Sequence, residues 1–311
     1  MARRRKRNFI GGAVLLIAAM LYSALYGAPA KDTPSAAQSA APVSSSKEAA
    51  QTNVWFLDVG QGDSELIRLK SGKNILIDAG TGETAKQLPV LLKELGVTRI
   101  DLLIGTHPHE DHIGGMAEVV KNFPIGQIYM PKIPNSQVPT TAVYENLLET
   151  IEAKKLKITA AKSGMVPLEE DGCKLELFAP NRASYKDLND YSVVAKLTCG
   201  QKSFLFAGDA ESPSEQEMLK TGYDLKSDVL KCGHHGSLSS TTAAFLKAVS
   251  PTAAVISCGV NNDYGHPSKQ VLSRLNKAKV TIYRTDQQGT ILAQCDGKTI
   301  AFQTNQKSLV K

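Results

Sequence analysis

Thr106-His107-Pro108-His109-Glu110-Asp111-His112-Ile113-Gly114-Gly115 gathers three of the chain's six histidines, two acids and a diglycine within ten residues. It follows the apolar, strand-like run 102–105. In an extended loop residues i and i+2 point the same way, so His107 and His109 can share one cation. Asp111 and His112 come after a turn and can face a second. Gly114-Gly115 lets the backbone bend into a helix. Neutral imidazoles and carboxylates suit zinc first and manganese second. Two ions about 3.5–4 Å apart need a bridging anionic ligand. Asp209 is the candidate, because Phe206-Ala207-Gly208-Asp209 ends another apolar run at a glycine. The competing reading of Asp209 is a turn or cap residue before a helix at 212–215.

The other histidines lie in similar places: His234 and His235 in Lys231-Cys232-Gly233-His234-His235-Gly236-Ser237, and His266 in Tyr264-Gly265-His266-Pro267. Each sits in a short Gly- or Pro-flanked segment soon after a strand-like run, where sites of layered α/β proteins gather. Asp58, Gln61 and Asp63 form a further polar loop after a strand, readable also as a turn fixed by Gly60 and Gly62. Asp78 can orient a ligand imidazole from behind. His266 reads either as a loop or capping residue or as a contact to the substrate's leaving group.

Strand-like runs (54–59, 65–69, 74–77, 102–105, 127–130, 157–160, 174–178, 192–197, 203–207, 229–232, 253–257, 280–283, 290–294, 299–302) interleave with helix-like runs at 84–95, 114–121, 142–154, 214–221, 240–247 and 267–276. Layered packing of sheets and helices follows, though not the strand order. Hydrophobic residues make up 42% of the 311 and charged residues 21%, which excludes wholesale disorder, collagen and coiled coil. Of the net charge of +6, Arg3, Arg4, Arg5, Lys6 and Arg7 supply five, so the body is nearly neutral and bulk charge does not argue for nucleic-acid binding. Lys132, Lys231, Lys269 and Arg284 are the candidates for a local basic stripe, each also readable as solvated surface.

The five cations precede an uncharged apolar run at 9–28, so residues 1–30 are expected to form an apolar helix acting as a signal peptide or signal anchor. The run is long enough to span a bilayer, and Ala28-Pro29-Ala30 offers small residues for cleavage; both outcomes stand, with the retained anchor preferred. Residues 31–52, rich in Ala, Ser, Pro and Gln, are expected to be a disordered linker, and 53–311 the folded domain. The expected location is extracytoplasmic, membrane-bound through the N-terminal segment or secreted after cleavage, with no protein partner identifiable. The five cysteines show no zinc-finger spacing and read mainly as buried core residues; their odd number leaves at least one unpaired.

Phe56-Leu57-Asp58-Val59-Gly60-Gln61-Gly62-Asp63-Ser64, Leu76-Ile77-Asp78-Ala79-Gly80, the histidine segment, Asn189-Asp190-Tyr191-Ser192, Ala207-Gly208-Asp209 and the two later histidine segments occur in one order over nearly the whole body. In this the chain resembles metallo-β-lactamase fold hydrolases, most closely the hydrolase domain of ComEC-type DNA-internalisation competence proteins. The resemblance implies a four-layer αββα sandwich, of mixed α/β and α+β character, with metals at one edge. It implies His107 and His109 as ligands of one ion, Asp111 and His112 of the second, Asp209 as the shared carboxylate, and a last ligand from the His234-His235 pair, His235 preferred. Asn189 and Ser192 stand where many relatives supply a further histidine, and an oxygen ligand or water there favours manganese. The loop of Asp58, Gln61 and Asp63 borders the site. Asp111, His234 and His266 are the candidate catalytic groups.

The expected function is metal-dependent hydrolysis of a phosphodiester, as a phosphodiesterase or nuclease with DNA as the leading substrate and a role in DNA uptake. The alternatives are a hydrolase of cell-wall phosphodiesters (phosphorylcholine or teichoic-acid esters), a lactam or lactone hydrolase, and a catalytically inactive scaffold that binds DNA or a partner.

Overall fold

The computed structural model describes Leu25, Tyr26 and residues 51–310. Nearly all of the expected N-terminal helix and most of the expected linker lie outside the described residues. Two mixed sheets face each other. The first has eight strands in the order β15-β14-β1-β2-β3-β4-β5-β6: β1 (Thr52–Phe56), β2 (Glu65–Arg68), β3 (Asn74–Ile77), β4 (Ile100–Ile104), β5 (Ile125–Pro131), β6 (Ile158–Ala161), β14 (Thr290–Cys295) and β15 (Ile300–Gln306). The second has seven, ordered β13-β12-β11-β10-β9-β8-β7: β7 (Leu168–Glu170), β8 (Cys173–Ala179), β9 (Val194–Cys199), β10 (Lys202–Phe206), β11 (Val229–Lys231), β12 (Ala253–Ile256) and β13 (Thr281–Arg284). Sequence reasoning missed β7, whose three residues are too few to show a period.

The strands are apolar on both faces because each sheet is covered on both. In β1, Val54 and Phe56 enter the core between the sheets, whereas Trp55 points to the helices outside. In β10, Phe204 and Phe206 share the inter-sheet core and Leu205 faces the opposite way. Outside the first sheet pack α1 (Leu88–Glu94), α2 (Glu110–Ile113), α3 (Met116–Asn122) and α4 (Ala142–Ala153), which bury Leu88, Leu92, Val119, Leu147 and Ile151. Outside the second lie α5 (Ser212–Thr221), α6 (Ala243–Val249) and α7 (Lys269–Lys277), which bury Met218, Phe245, Val249, Val271 and Leu275. A short α8 (Thr285–Gln288) links β13 to β14. Thr141, Thr242 and Ser268 cap α4, α6 and α7 by accepting from Tyr144 N, Phe245 N and Val271 N. The result is the four-layer sandwich.

β3 to β6 run parallel, as do β10 to β13, so the carboxyl ends of each set share one edge. At that edge Gly62 lies so close to Asp111 that a Cβ there would strike the Asp111 carbonyl oxygen. Among the described residues no helix is long and apolar enough to cross a membrane.

Cys173 and Cys199 are register partners on β8 and β9 and are joined by a disulfide; Cys232, Cys258 and Cys295 are free and buried. The core reading of the cysteines therefore holds for three as free thiols, while the other two are cross-linked. The bond closes a sequence separation of 26 residues. By loop entropy, replacing both cysteines with serine should lower unfolding free energy by about 2–4 kcal/mol, read from urea denaturation with and without reductant.

Candidate metal centre

Four loops meet at the shared edge. β4 runs into His107; β10 into Asp209; β11 into His234 and His235; and a 3-10 turn, Asn189–Tyr191, precedes β9. His107, His112, Asp209 and His235 are each 2% exposed or less. Asp209 is the hub. Its Oδ1 lies 3.2 Å from His112 Nε2, and its Oδ2 lies 3.6, 3.7 and 3.9 Å from the Nε2 atoms of His235, His234 and His107. Asp111 Oδ2 is 3.1 Å from His235 Nε2 and 3.8 Å from His112 Nε2. His107 Nε2 and His109 Nδ1 converge to 3.0 Å.

Ligand atoms of Asp111, His112, Asp209 and His235 all lie within 4.8 Å of one another. His112 Nε2 and Asp209 Oδ1 are buried, face each other and have no hydrogen-bond partner. Such orphaned atoms are costly unless something else binds them. A mixed imidazole and carboxylate set of this kind fits a divalent cation. His107, His109 and Asp209 fit a second, so the cluster is a candidate binuclear centre. Asp63, Asp78 and His112 also approach one another, but both carboxylates there have other partners.

Those partners fix the imidazoles. Asp78 lies 2.7 Å from His112 Nδ1 and accepts from the Thr106 N–H at 2.7 Å and the Thr106 hydroxyl at 2.6 Å. This leaves His112 Nε2 for the centre. His235 Nδ1 lies 3.0 Å from the Ser257 carbonyl and 3.2 Å from Asp63 Oδ1, again directing Nε2 inward. Ser192 Oγ is 3.4 Å from His107 Nδ1 and accepts from Asp209 N at 3.0 Å. Asn189 Nδ2 lies 3.4 Å from both Glu211 Oε1 and His234 Nδ1.

His234 and His235 both adopt left-handed backbone angles, with φ of 47° and 51°, so the two rings diverge. His235 points at Asp111 and Asp209. His234 Nδ1 is held by Glu211 at 2.9 Å, with its Nε2 at the edge of the cluster. Burial works against a charged His234, but the Glu211 carboxylate outweighs it and raises the pKa. His266 packs 5.3 Å from the His234 ring and under Tyr264 at 5.8 Å; burial and the two histidines push its pKa down to about 4, so it is neutral at pH 7.

Asp58 and Gln61 are not brought to the cluster. Asp58 Oδ1 accepts from Gly60 N at 3.3 Å, and Gln61 Oε1 accepts from Gly259 N at 3.0 Å, tying the loop across to the second sheet. The stripe reading of Lys231 is overturned: it is 1% exposed and its Nζ donates to Asp63 Oδ2 at 2.6 Å. Burial acts to raise the Asp63 pKa, but the Lys231 ammonium and His235 outweigh it and hold it below the usual value. Residue parity carried the signal: Val229, two positions earlier on β11, belongs to the inter-sheet core, so Lys231 points inward. Glu211 was also missed; it lies two residues beyond Asp209, just past the turn at Gly208-Asp209 and ahead of α5.

The metallo-beta-lactamase superfamily model matches residues 57–260, a range that holds every residue of this cluster except His266. The chain belongs to the metallo-beta-lactamase superfamily. It is 32% identical over 255 residues to ComE operon protein 3 of Bacillus subtilis (strain 168), covering 76% of this chain and 32% of that protein. It is 34% identical over 246 residues to Competence protein ComA of Neisseria gonorrhoeae, covering 78% and 32%. The chain thus spans about a third of the length of these relatives. Among solved structures it resembles CmlA, a diiron beta-hydroxylase from Streptomyces venezuelae, with a TM-score of 0.51 and 15% identity over 75% of this chain and 52% of that one, a likeness of fold.

Asp78→Asn keeps the shape and tolerates the left-handed backbone at this position (φ 56°) but weakens the hold on His112. It should lower metal affinity about 10–100-fold in chelator competition. Lys231→Met strands the buried Asp63 charge and should cost about 3–5 kcal/mol in denaturant unfolding, with Asp63→Asn in the same chain recovering part of it. Because the Asp63 pKa is lowered on folding, the stability it supplies is present above about pH 4 and fades as pH falls through its folded value.

Proposed function

We propose that the chain is an extracytoplasmic phosphodiesterase or nuclease that uses two divalent cations and acts on DNA during uptake. The observation that carries this reading is Asp209, a buried carboxylate whose two oxygens lie 3.2–3.9 Å from the Nε2 atoms of His112, His235, His234 and His107, so that one residue reaches imidazoles assigned to both ions. His107, His109 and Asp209 would hold one ion, and Asp111, His112, His235 and Asp209 the other. Bound there, zinc or manganese would supply a water of lowered pKa and polarise the phosphoryl oxygen. Ser192 and Thr106 keep His107 in register, and Asp78 and Asp63 do the same for His112 and His235. Asp111 and Asp209 would supply acceptor oxygens for the proton of the attacking water.

His234, raised by Glu211 and 24% exposed on its side chain, stands where a leaving oxygen would need a proton or a hydrogen bond. Neutral His266 lies behind it and offers a second contact. The competence-protein relatives support DNA over a wall polymer as substrate. The Cys173–Cys199 disulfide supports an oxidising compartment, in keeping with an N-terminal export segment.

Plasmid nicking in manganese or zinc tests the assignment. Asp209→Ala or His109→Ala should reduce turnover by at least about 10³-fold with an unchanged circular dichroism spectrum, since groups acting as a unit fail together. Turnover preserved in both variants would sink it. Release of phosphorylcholine or glycerol phosphate without DNA cleavage would favour the wall-polymer reading.

A further inference from the structure

The rim of the sandwich extends well beyond the cluster on both sides. Along the second sheet, from β12 to β8, one edge carries in turn Tyr264 and His266, His234 and His235, Asp209, Asn189 and Ser192, and Arg182. At the usual strand spacing those four steps cover about 19 Å. Opposite, along the first sheet, His107 follows β4, Lys132 follows β5 and Lys162 follows β6.

The far end of this rim is basic. A cavity of about 520 Å³ opens between the ends of β5, β6 and β8, lined by Lys132, Lys162, Arg182 and neutral residues, with no acid. Lys132 and Lys162 are exposed and form no ion pair among the described residues, whereas Arg182 shares its guanidinium with Glu217. The loop that follows Lys132 is tied to the segment that leads into Ser192. Gln137, on the loop after Lys132, accepts from the Tyr191 hydroxyl at 2.6 Å and donates to the Tyr185 carbonyl at 2.8 Å.

The near end is mostly apolar and aromatic, with Asp263 the one exposed acid on the Tyr264 loop. Of the five large hydrophobic side chains exposed among the described residues, Leu238, Val260 and Tyr264 all lie on the two loops around His234, His235 and His266. Tyr264 is 72% exposed and stacks on His266 with 24° between the rings. Its loop is braced by Asn262, which donates to the carbonyls of Gly259 and His266 and accepts from His266 N. An exposed ring held in a braced loop is a stacking surface awaiting a partner.

We propose that this rim is the path of a single nucleic-acid strand. One base stacks on Tyr264, the linkage to be cut lies under His234, and the phosphates beyond it run over Lys132 and Lys162. The inference rests on the phosphodiester reading above and adds the polymer and its direction of lie. A stacking platform joined to a basic groove is the combination that binds unpaired strands, because a duplex keeps its base faces covered. A small phosphoester has no need of cations two strands away from the cluster. A wall polymer lacks the flat ring that Tyr264 would accept.

The test uses the full-length, manganese-loaded protein, a fluorescent 12-nucleotide single strand and bis(4-nitrophenyl) phosphate. Lys132→Ala/Lys162→Ala should weaken strand binding at least about tenfold at low salt and flatten the slope of log affinity against log salt by about 1.4. The same pair should leave hydrolysis of the small ester within about twofold, since the ester cannot reach the groove. Tyr264→Ala should weaken strand binding about 5- to 150-fold, and Tyr264→Trp should restore it. Wild-type strand affinity in both the lysine pair and Tyr264→Ala, with ester hydrolysis intact, would overturn the path and leave the phosphodiester reading standing. A wild type that cleaves neither substrate, while these variants still lose strand binding, would remove the catalytic reading and keep the path. A glycerol phosphate polymer that binds as tightly as the oligonucleotide and ignores Tyr264→Ala would overturn the assignment to nucleic acid.

Discussion

A buried carboxylate cannot stay charged in a protein interior without compensation, and Asp209 is 2% exposed. Much of the rim's architecture answers that constraint. Burial acts to raise the Asp209 pKa, but His112, His235 and His107 together hold it well below the usual value. The imidazoles face the converse problem. Burial acts against a charged His112, yet Asp209, Asp111 and Asp78 raise its pKa well above the ordinary value, and His235 is raised to about 10. Asp209, His112 and His235, which keep one another ionised, are among the groups a divalent cation would bind, whereas burial and the neighbouring His112 hold the His107 pKa well below the ordinary value.

The supporting groups show why the fold needs both sheets. Asp78 follows β3 and Asp63 precedes β2 in the first sheet, while Lys231 ends β11 and Ser257 follows β12 in the second. Asp63 joins them: it is bonded to Lys231 Nζ at 2.6 Å and lies 3.2 Å from His235 Nδ1. A pair sealed at 1% exposure on both sides gains little net energy over apolar residues of the same volume. Its effect is positional, since it fixes how far the rim of one sheet sits from the rim of the other, and that separation sets the spacing of His112 and His235.

The local part of this was legible in the sequence. His107, His109, Asp111 and His112 are close in the chain, and an extended loop followed by a turn gives them few other arrangements. Asp209 was legible because an apolar run ending at Gly-Asp places a carboxylate at a strand end. The choice between His234 and His235 was not, because it depends on two consecutive left-handed residues, a conformation that non-glycine sequence does not announce. Lys231 was misread because charge was given more weight than alternation. Of the basic groove only Lys132 was legible, because Lys132, Lys162 and Arg182 lie on separate loops, brought together only by the order of strands in two sheets.

That last point bears on how a nearly neutral body can handle a polyanion. The acids of the rim are mostly spoken for: Asp63 by Lys231, Asp78 by Thr106 and His112, Glu211 by His234 and Ser239, and Asp111 and Asp209 by the imidazoles. Neutralised in place, they project little negative potential outward. Lys132 and Lys162 have no such partners among the described residues. The field met by an approaching phosphate chain is therefore set less by the total charge than by which charges have been cancelled, and in the groove between the ends of β5, β6 and β8 the uncancelled ones are positive. Loading the centre with divalent cations adds to the same sign, so a strand drawn to the groove would be attracted onward to the reacting position.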